Sequence, residues 1–139
     1  MIEGCVFCKI VAGELPATKV YEDEDTLAFM DIGPVVQGHV LVIPKSHYDP
    51  ITKTPPEVLQ KLITIVQKIA QAQCGGLGAD GINIAQANGS VAGQEVPHIH
   101  FHVIPRFKDD KHSWSWKAGK YDSQDAIQAK AQRIIEGLK

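Results

Sequence analysis

Residues His98-Ile-His100-Phe-His102-Val-Ile104 place three histidines at strict two-residue spacing with apolar residues between them. A period of two is that of a β-strand, so the three imidazoles point to one face and Ile99, Phe101 and Val103 to the other. One face is chemistry and the other is core. Three chemistries suit such a face. Imidazoles can ligate a metal. They can donate N–H to phosphate oxygens. One of them can attack phosphorus and carry it as a phospho-imidazole that water later hydrolyses. A single ion held by all three is disfavoured, because the Cα atoms of His98 and His102 are roughly 13 Å apart at about 3.3 Å per residue. The bland alternative is an exposed strand face that happens to be rich in histidine.

Two further groups stand near this strand. The loop Asn88-Gly-Ser-Val-Ala-Gly-Gln-Glu95 holds two glycines and several polar side chains immediately before the triad. Glycines let a backbone approach an anion, and turn N–H groups can form a nest for it. Cys5 and Cys8 form a Cys-x-x-Cys pair, half of a four-ligand site, for which His47 and the triad are available partners. Reduced cysteines at a helix start are the plain alternative. Cys74, before Gly75-Gly76, reads as a small residue at a helix end.

Elements must position these groups. Phe7 to Ala12 reads as a short helix stopped by Gly13 and Pro16. Thr18–Glu22 and Thr26–Asp31 read as strands around an acidic turn, and His39–Ile43 as a strand stopped by Pro44. Thr54-Pro-Pro-Glu57 has the form of a capping box, followed by Val58, Leu62, Ile65, Val66 and Ile69 at helical period, with Gly75 and Gly76 ending the helix. Ile82–Ala87 and His98–Ile104 read as strands, the latter closed by Pro105. Pro105–Tyr121 is a long loop bearing Trp114 and Trp116, functional or merely pinned by its tryptophans. Gln124–Leu138 is a final amphipathic helix. Strands without a βαβ rhythm predict an α+β fold with a mainly antiparallel sheet of about five strands.

The 139 residues suit one domain able to bury roughly 68% of its unfolded surface. Hydrophobic content of 44% and charged content of 22% are ordinary for a globular protein. A net charge of −2 supplies no basic field for a nucleic acid polymer. The N-terminus lacks the basic and apolar regions of a signal peptide, and no apolar run is long enough for a membrane span. A cytoplasmic protein with no membrane partner is expected.

The motif His98-Ile-His-Phe-His-Val-Ile104 resembles the signature of the histidine triad (HIT) superfamily. Phe7-Cys-Lys-Ile10, Phe29-Met-Asp-Ile32, Gly38-His-Val-Leu-Val-Ile-Pro-Lys-Ser-His47 and Gly93-Gln94 are similar to that family's segments, in its order, over about residues 5–107. The likeness is to the bacterial and Hint-like branch. It implies a half-barrel α+β fold with one long helix, a short N-terminal helix and a C-terminal helix. Residues 1–107 would be the core, and 108–139 a loop and helical extension of the same domain. It also implies a homodimer with a continuous sheet and a purine nucleotide or nucleotide-conjugate substrate, with no organic cofactor.

By the same resemblance, His100 is the nucleophile at an α-phosphate and His102 a phosphate ligand, with His39 supporting the triad. Asp31 takes the ribose hydroxyls, while Phe7, Ile10, Phe29 and Ile32 enclose the base. Asn88, Gly93 and Gln94 contact phosphate, and Val96 packs near the ribose. Cys5, Cys8, His47 and His98 would hold a structural zinc. Glu95 stands where the better-known Hint pattern has Ser or Thr. A carboxylic acid there can serve as a general acid if its pKa is raised, whereas the anion repels a polyphosphate leaving group. Three functions stay open: a phosphoramidase or dinucleoside polyphosphate hydrolase, a nucleotide-binding regulatory protein with little catalysis, and a zinc hydrolase.

Overall fold

A computed structural model of the chain describes residues 2–139. A short helix, α1 (Val6–Val11), precedes strands β1 (Lys19–Glu22), β2 (Thr26–Met30) and β3 (Val40–Pro44). The long helix α2 (Pro56–Leu77) follows, then β4 (Gly81–Ala85), β5 (Phe101–Arg106) and α3 (Gln124–Gly137). The strands form one antiparallel sheet in the order β1-β2-β3-β5-β4. This is the α+β architecture with five strands that the sequence predicts.

The sheet is covered on both faces. Ala28, Val40, Val42, Ile99 and Val103 face α2, which presents Leu62, Ile65, Val66 and Ile69 on one helical stripe. Leu27, Phe29, Leu41 and Ile43 alternate to the other face and pack with Phe7, Cys8 and Ile10 of α1. Burial on both faces explains why β2 and β3 read as continuous apolar runs. Each fully buried side chain contributes roughly 1.5–3 kcal/mol, so these two clusters dominate the stability.

Several boundaries differ from expectation, each for a local reason. Thr54 does not cap α2. Its hydroxyl donates to Pro50 O at 2.9 Å, and Pro55 occupies the cap position without a side-chain bond. The helix also runs through Gly75 and Gly76 to Leu77. It stops at Gly78, whose φ of 70° is the left-handed conformation that glycine adopts without strain. The triad strand begins only at Phe101 and continues through Pro105 to Arg106. Pro105 neighbours Ile82 at that end of the ladder. The segment 98–100 is set by other bonds, Ile99 N–H donating to Tyr48 O at 2.7 Å.

α3 buries none of its residues, and Ile134 and Leu138 are exposed. Among the described residues no helix is long and apolar enough to cross a membrane.

Candidate functional site

The first triad histidine turns away from the other two. His98 is fully buried, and its Nε2 lies 2.9 Å from Pro44 O. A carbonyl only accepts, so the ring proton sits on Nε2 and Nδ1 is bare. That bare nitrogen lies 3.5 Å from Cys5 Sγ and 3.7 Å from Cys8 Sγ, while His47 Nδ1 lies 3.4 Å from Cys8 Sγ. These four ligand atoms lie within 4.8 Å of one another. Tetrahedral zinc, with bonds of about 2.3 Å to sulfur and about 2.0–2.1 Å to nitrogen, sets sulfur–nitrogen edges of about 3.6 Å. The observed separations and the tautomer of His98 therefore fit a closed, four-coordinate metal site. Cys5 also caps α1, its Sγ accepting from Cys8 N–H. Burial pushes the Cys5 thiol up and pushes His98 down to about 4, keeping the imidazole neutral and able to ligate.

The second histidine faces a cavity. His100 Nδ1 lies 2.7 Å from the main-chain oxygen of His98, which again can only accept. His100 therefore carries its proton on Nδ1 and keeps a lone pair on Nε2. Its ring meets the edge of Phe7 at 5.1 Å between centroids.

The third histidine is set by a relay. Val35 N–H donates to His39 Nδ1 at 3.1 Å, which leaves the His39 proton on Nε2. That proton points to His102 Nδ1 at 2.9 Å. His102 must then hold its own proton on Nε2. Burial lowers the pKa of His39 and pushes His102 down to about 4, so both rings are neutral at pH 7. Asp31 Oδ2 stands 3.6 Å from His39 Nε2, and Asp31 N–H closes the neck of the 31–39 loop onto His39 O. Asp31, His39 and His102 are close enough to suggest a second metal. Their protonation argues against it, because the bare nitrogen of His39 faces Val35 and that of His102 already accepts a hydrogen bond.

His39, His100, His102 and Asp31 line one cavity of about 930 Å³, at the upper end of the range for small-molecule sites. Phe7, Ile10, Phe29 and Val96 supply apolar wall, with Phe7 and Phe29 in edge contact at 5.5 Å. Gly93 and Glu95 line it too. Ile32 reaches the cavity wall but is fully exposed, so it covers rather than encloses.

Two expected phosphate contacts are engaged elsewhere. Asn88 Nδ2 donates to Gln86 Oε1, and its Oδ1 accepts from Ile51 N–H at 2.8 Å. Gln94 bridges Asp49 and Gly89, at 2.6 and 2.7 Å, and so holds the glycine loop closed. Neither is among the residues lining the cavity. The lining residues Leu41 and Ile104 were missed, although each shares strand parity with a site histidine. Trp114 lines the cavity from the 105–121 loop. No spacing in the sequence points to its position.

Comparison with known proteins adds a second line. A family model described as the HIT domain matches residues 12–109. An uncharacterised HIT-like protein of Methanocaldococcus jannaschii is 52% identical over 106 residues, covering 76% of this chain and 81% of that one. The adenosine 5'-monophosphoramidase of Saccharomyces cerevisiae is 39% identical over 138 residues, covering 96% and 84%. The crystal structure of a HIT family protein from Bacillus anthracis superposes with a TM-score of 0.90 at 39% identity over the whole of both chains. A zinc-bound histidine triad family protein from Mycobacterium smegmatis superposes with a TM-score of 0.77 at 43% identity, over 96% of this chain and 97% of that one.

Proposed function

The chain belongs to the histidine triad (HIT) family, and from that premise we propose that it hydrolyses purine nucleotide conjugates at the α-phosphate. The single observation that carries this reading is the tautomer of His100. Its Nδ1 proton is held by His98 O, and its Nε2 lone pair belongs to a ring that lines the cavity. A yeast relative is named an adenosine 5'-monophosphoramidase, which supports the substrate class.

In this reading the base lies against Phe7, Ile10 and Phe29. The Asp31 carboxylate, whose Oδ1 already accepts from Gly33 N–H, takes the ribose hydroxyls with its remaining lone pairs. His102 Nε2–H donates to a non-bridging phosphate oxygen, and Gly93, whose own N–H is held by Ser90 O at 3.0 Å, brings side-chain-free backbone to the same wall. His100 Nε2 attacks phosphorus as the bond to the leaving group breaks. The leaving group takes its electron pair and a proton, for which Glu95 is the candidate donor. Water then attacks the nucleotidyl-imidazole, releases the nucleoside monophosphate and returns the lone pair to His100. The released proton goes to solvent or Glu95.

Cys5, Cys8, His47 and His98 would hold zinc. A closed Cys₂His₂ set is structural, so the ion would supply cross-linking of α1 to the triad segment and no open coordination position. The zinc-bound mycobacterial structure supports that identity. Residues 1–107 would form the nucleotide-binding core and 108–139 its extension. In a homodimer, the uncovered stripe of α3 would gain a partner.

A second reading, a nucleotide-binding regulatory protein with little turnover, is favoured by Glu95, which stands at the cavity as an acid. One experiment separates the two. Purified protein is expected to release AMP from adenosine 5'-phosphoramidate, with turnover lowered about a thousandfold or more in His100→Ala. Tight AMP binding without turnover of any conjugate would favour the second reading. Undiminished activity of His100→Ala would remove the nucleophile assignment.

A further inference from the structure

One buried side chain outside the cavity reaches both segments that carry its polar wall. Gln73 lies near the end of α2 and is 4% exposed. Its Nε2 donates to Gly38 O at 2.9 Å and to Val103 O at 2.9 Å. Both neighbours are carbonyls, so only the NH₂ end of the amide can face them. Gly38 immediately precedes His39, and Val103 immediately follows His102. One amide thus ties together the backbone beside both members of the His39–His102 pair.

The sheet needs help at this point. Pairing of β3 with β5 runs from Val42↔Phe101 to Val40↔Val103. Beyond it Gly38 lies against Pro105, close enough that a Cβ on Gly38 would stand 3.0 Å from Pro105 Cγ. Proline has no N–H to donate, so the strand cannot satisfy Gly38 O there. Gln73 supplies the donor from the helix.

The cost of this arrangement is visible. Gln73 Oε1 is buried without a hydrogen-bond partner. A core chosen for packing alone is better served by Met, which fills similar space and leaves no orphan oxygen on the side chain. What Gln adds is the pair of donations.

We infer that Gln73 is a positioning residue, holding His39 and His102 in hydrogen-bonding register from the helix side of the sheet. It acts by keeping the His39 Nε2–H on His102 Nδ1, which commits the His102 proton to Nε2. The consequence for catalysis rests on the phosphate role proposed for His102, but the positioning itself does not.

The test compares wild type, Gln73→Met and Ile69→Val, the last a packing change on the same helix that touches neither carbonyl. In nucleotide-free protein, imidazole ¹⁵N spectra are expected to show altered His39 and His102 signals in Gln73→Met only. Its kcat on adenosine 5'-phosphoramidate should fall about tenfold or more with KM within about twofold, since misplacement by a fraction of an ångström costs rate more than binding. Unchanged imidazole signals in Gln73→Met, or equal changes in Ile69→Val, would overturn the inference. If Gln73→Met does not fold, wild type decides. Slow exchange of the Gln73 side-chain amide protons is required, and rapid exchange defeats the proposal. If the chain proves not to hydrolyse nucleotides, the kcat arm is lost with that reading and the spectra still decide the positioning.

Discussion

His39 Nε2 lies 2.9 Å from His102 Nδ1, and the proton between them belongs to His39. The assignment follows from a backbone group. Val35 N–H can only donate, so it claims His39 Nδ1 as acceptor and leaves the ring no choice of tautomer. The identity of the donor that His102 offers the cavity is therefore set two hydrogen bonds away.

Removing the middle of that chain should leave His102 free to take either tautomer. His39→Ala is expected to lower kcat about 10- to 100-fold on a nucleotide phosphoramidate while nucleotide binding weakens less. Steady-state kinetics with the imidazole ¹⁵N spectrum of His102 checks this. A variant with wild-type kcat and an unchanged His102 spectrum would show the relay to be idle.

Acid should destabilise the metal-free protein by a specific route. His39, His98 and His102 all titrate below the ordinary imidazole value, His98 and His102 at about 4, chiefly because burial disfavours the charged ring. Between about pH 6.5 and 4 the unfolded chain binds protons that the native one refuses. The stability from this source is thus complete above about pH 6.5 and is lost as the pH falls toward 4. His98 and His102 each contribute up to about 1.4 kcal/mol per pH unit in that window, and His39 acts in the same direction. Urea unfolding from pH 7.5 to 4.5 should show the decline, and His102→Gln should make it shallower. A midpoint that does not move with pH contradicts the assignment.

Metal content offers a direct check of the Cys₂His₂ set. Wild type is expected to hold one zinc per chain, and Cys8→Ser or His47→Ala to hold substoichiometric zinc. The variants should melt roughly 10 °C lower, because metal binding here is coupled to folding. Zinc analysis with thermal melts measures both. Full zinc occupancy in Cys8→Ser would mean that the ion sits elsewhere.

Glu95 is exposed and lines the cavity, where its acid form would serve an amine leaving group and its anion would repel a polyphosphate. Solvent screens an exposed carboxylate, so its repulsion of a nearby phosphate charge costs about 1 kcal/mol. Glu95→Ser should therefore raise the rate on a dinucleoside polyphosphate, relative to a phosphoramidate, by about fivefold. The ratio of kcat/KM values for the two substrates reads this out. An unchanged ratio would show that the carboxylate does not meet the leaving group.

Much of this arrangement was legible in the residues. Alternation in 98–104 separates Ile99 and Val103, which enter the α2 cluster, from His100 and His102, which line the cavity. The stripe Leu62, Ile65, Val66, Ile69 marks the apolar part of the buried face of α2, which Gln73 completes. Local competition hid the rest. Thr54 is a good cap by type, yet its hydroxyl finds Pro50 O first. Asn88 and Gln94 have the chemistry to hold phosphate, yet in this structure their amide N–H groups donate to Gln86 and Asp49. The acceptor for His100 is a main-chain oxygen, and main-chain groups leave no mark in a sequence. Gln73 continues the stripe four residues after Ile69, but as a polar residue among the glutamines of α2 it carries no apolar signal.

β3 has an apolar core on both sides, and β5 has one under α2 and the cavity on its other face, which ties correct folding to reactivity. A one-residue slip of β5 against β3 would send His102 into the apolar layer under α2 and bring Val103 out to the cavity. Such a chain would lose its proposed phosphate donor and its hydrophobic packing in the same event. Strand parity thus makes packing and site assembly one condition: an odd register shift forfeits both.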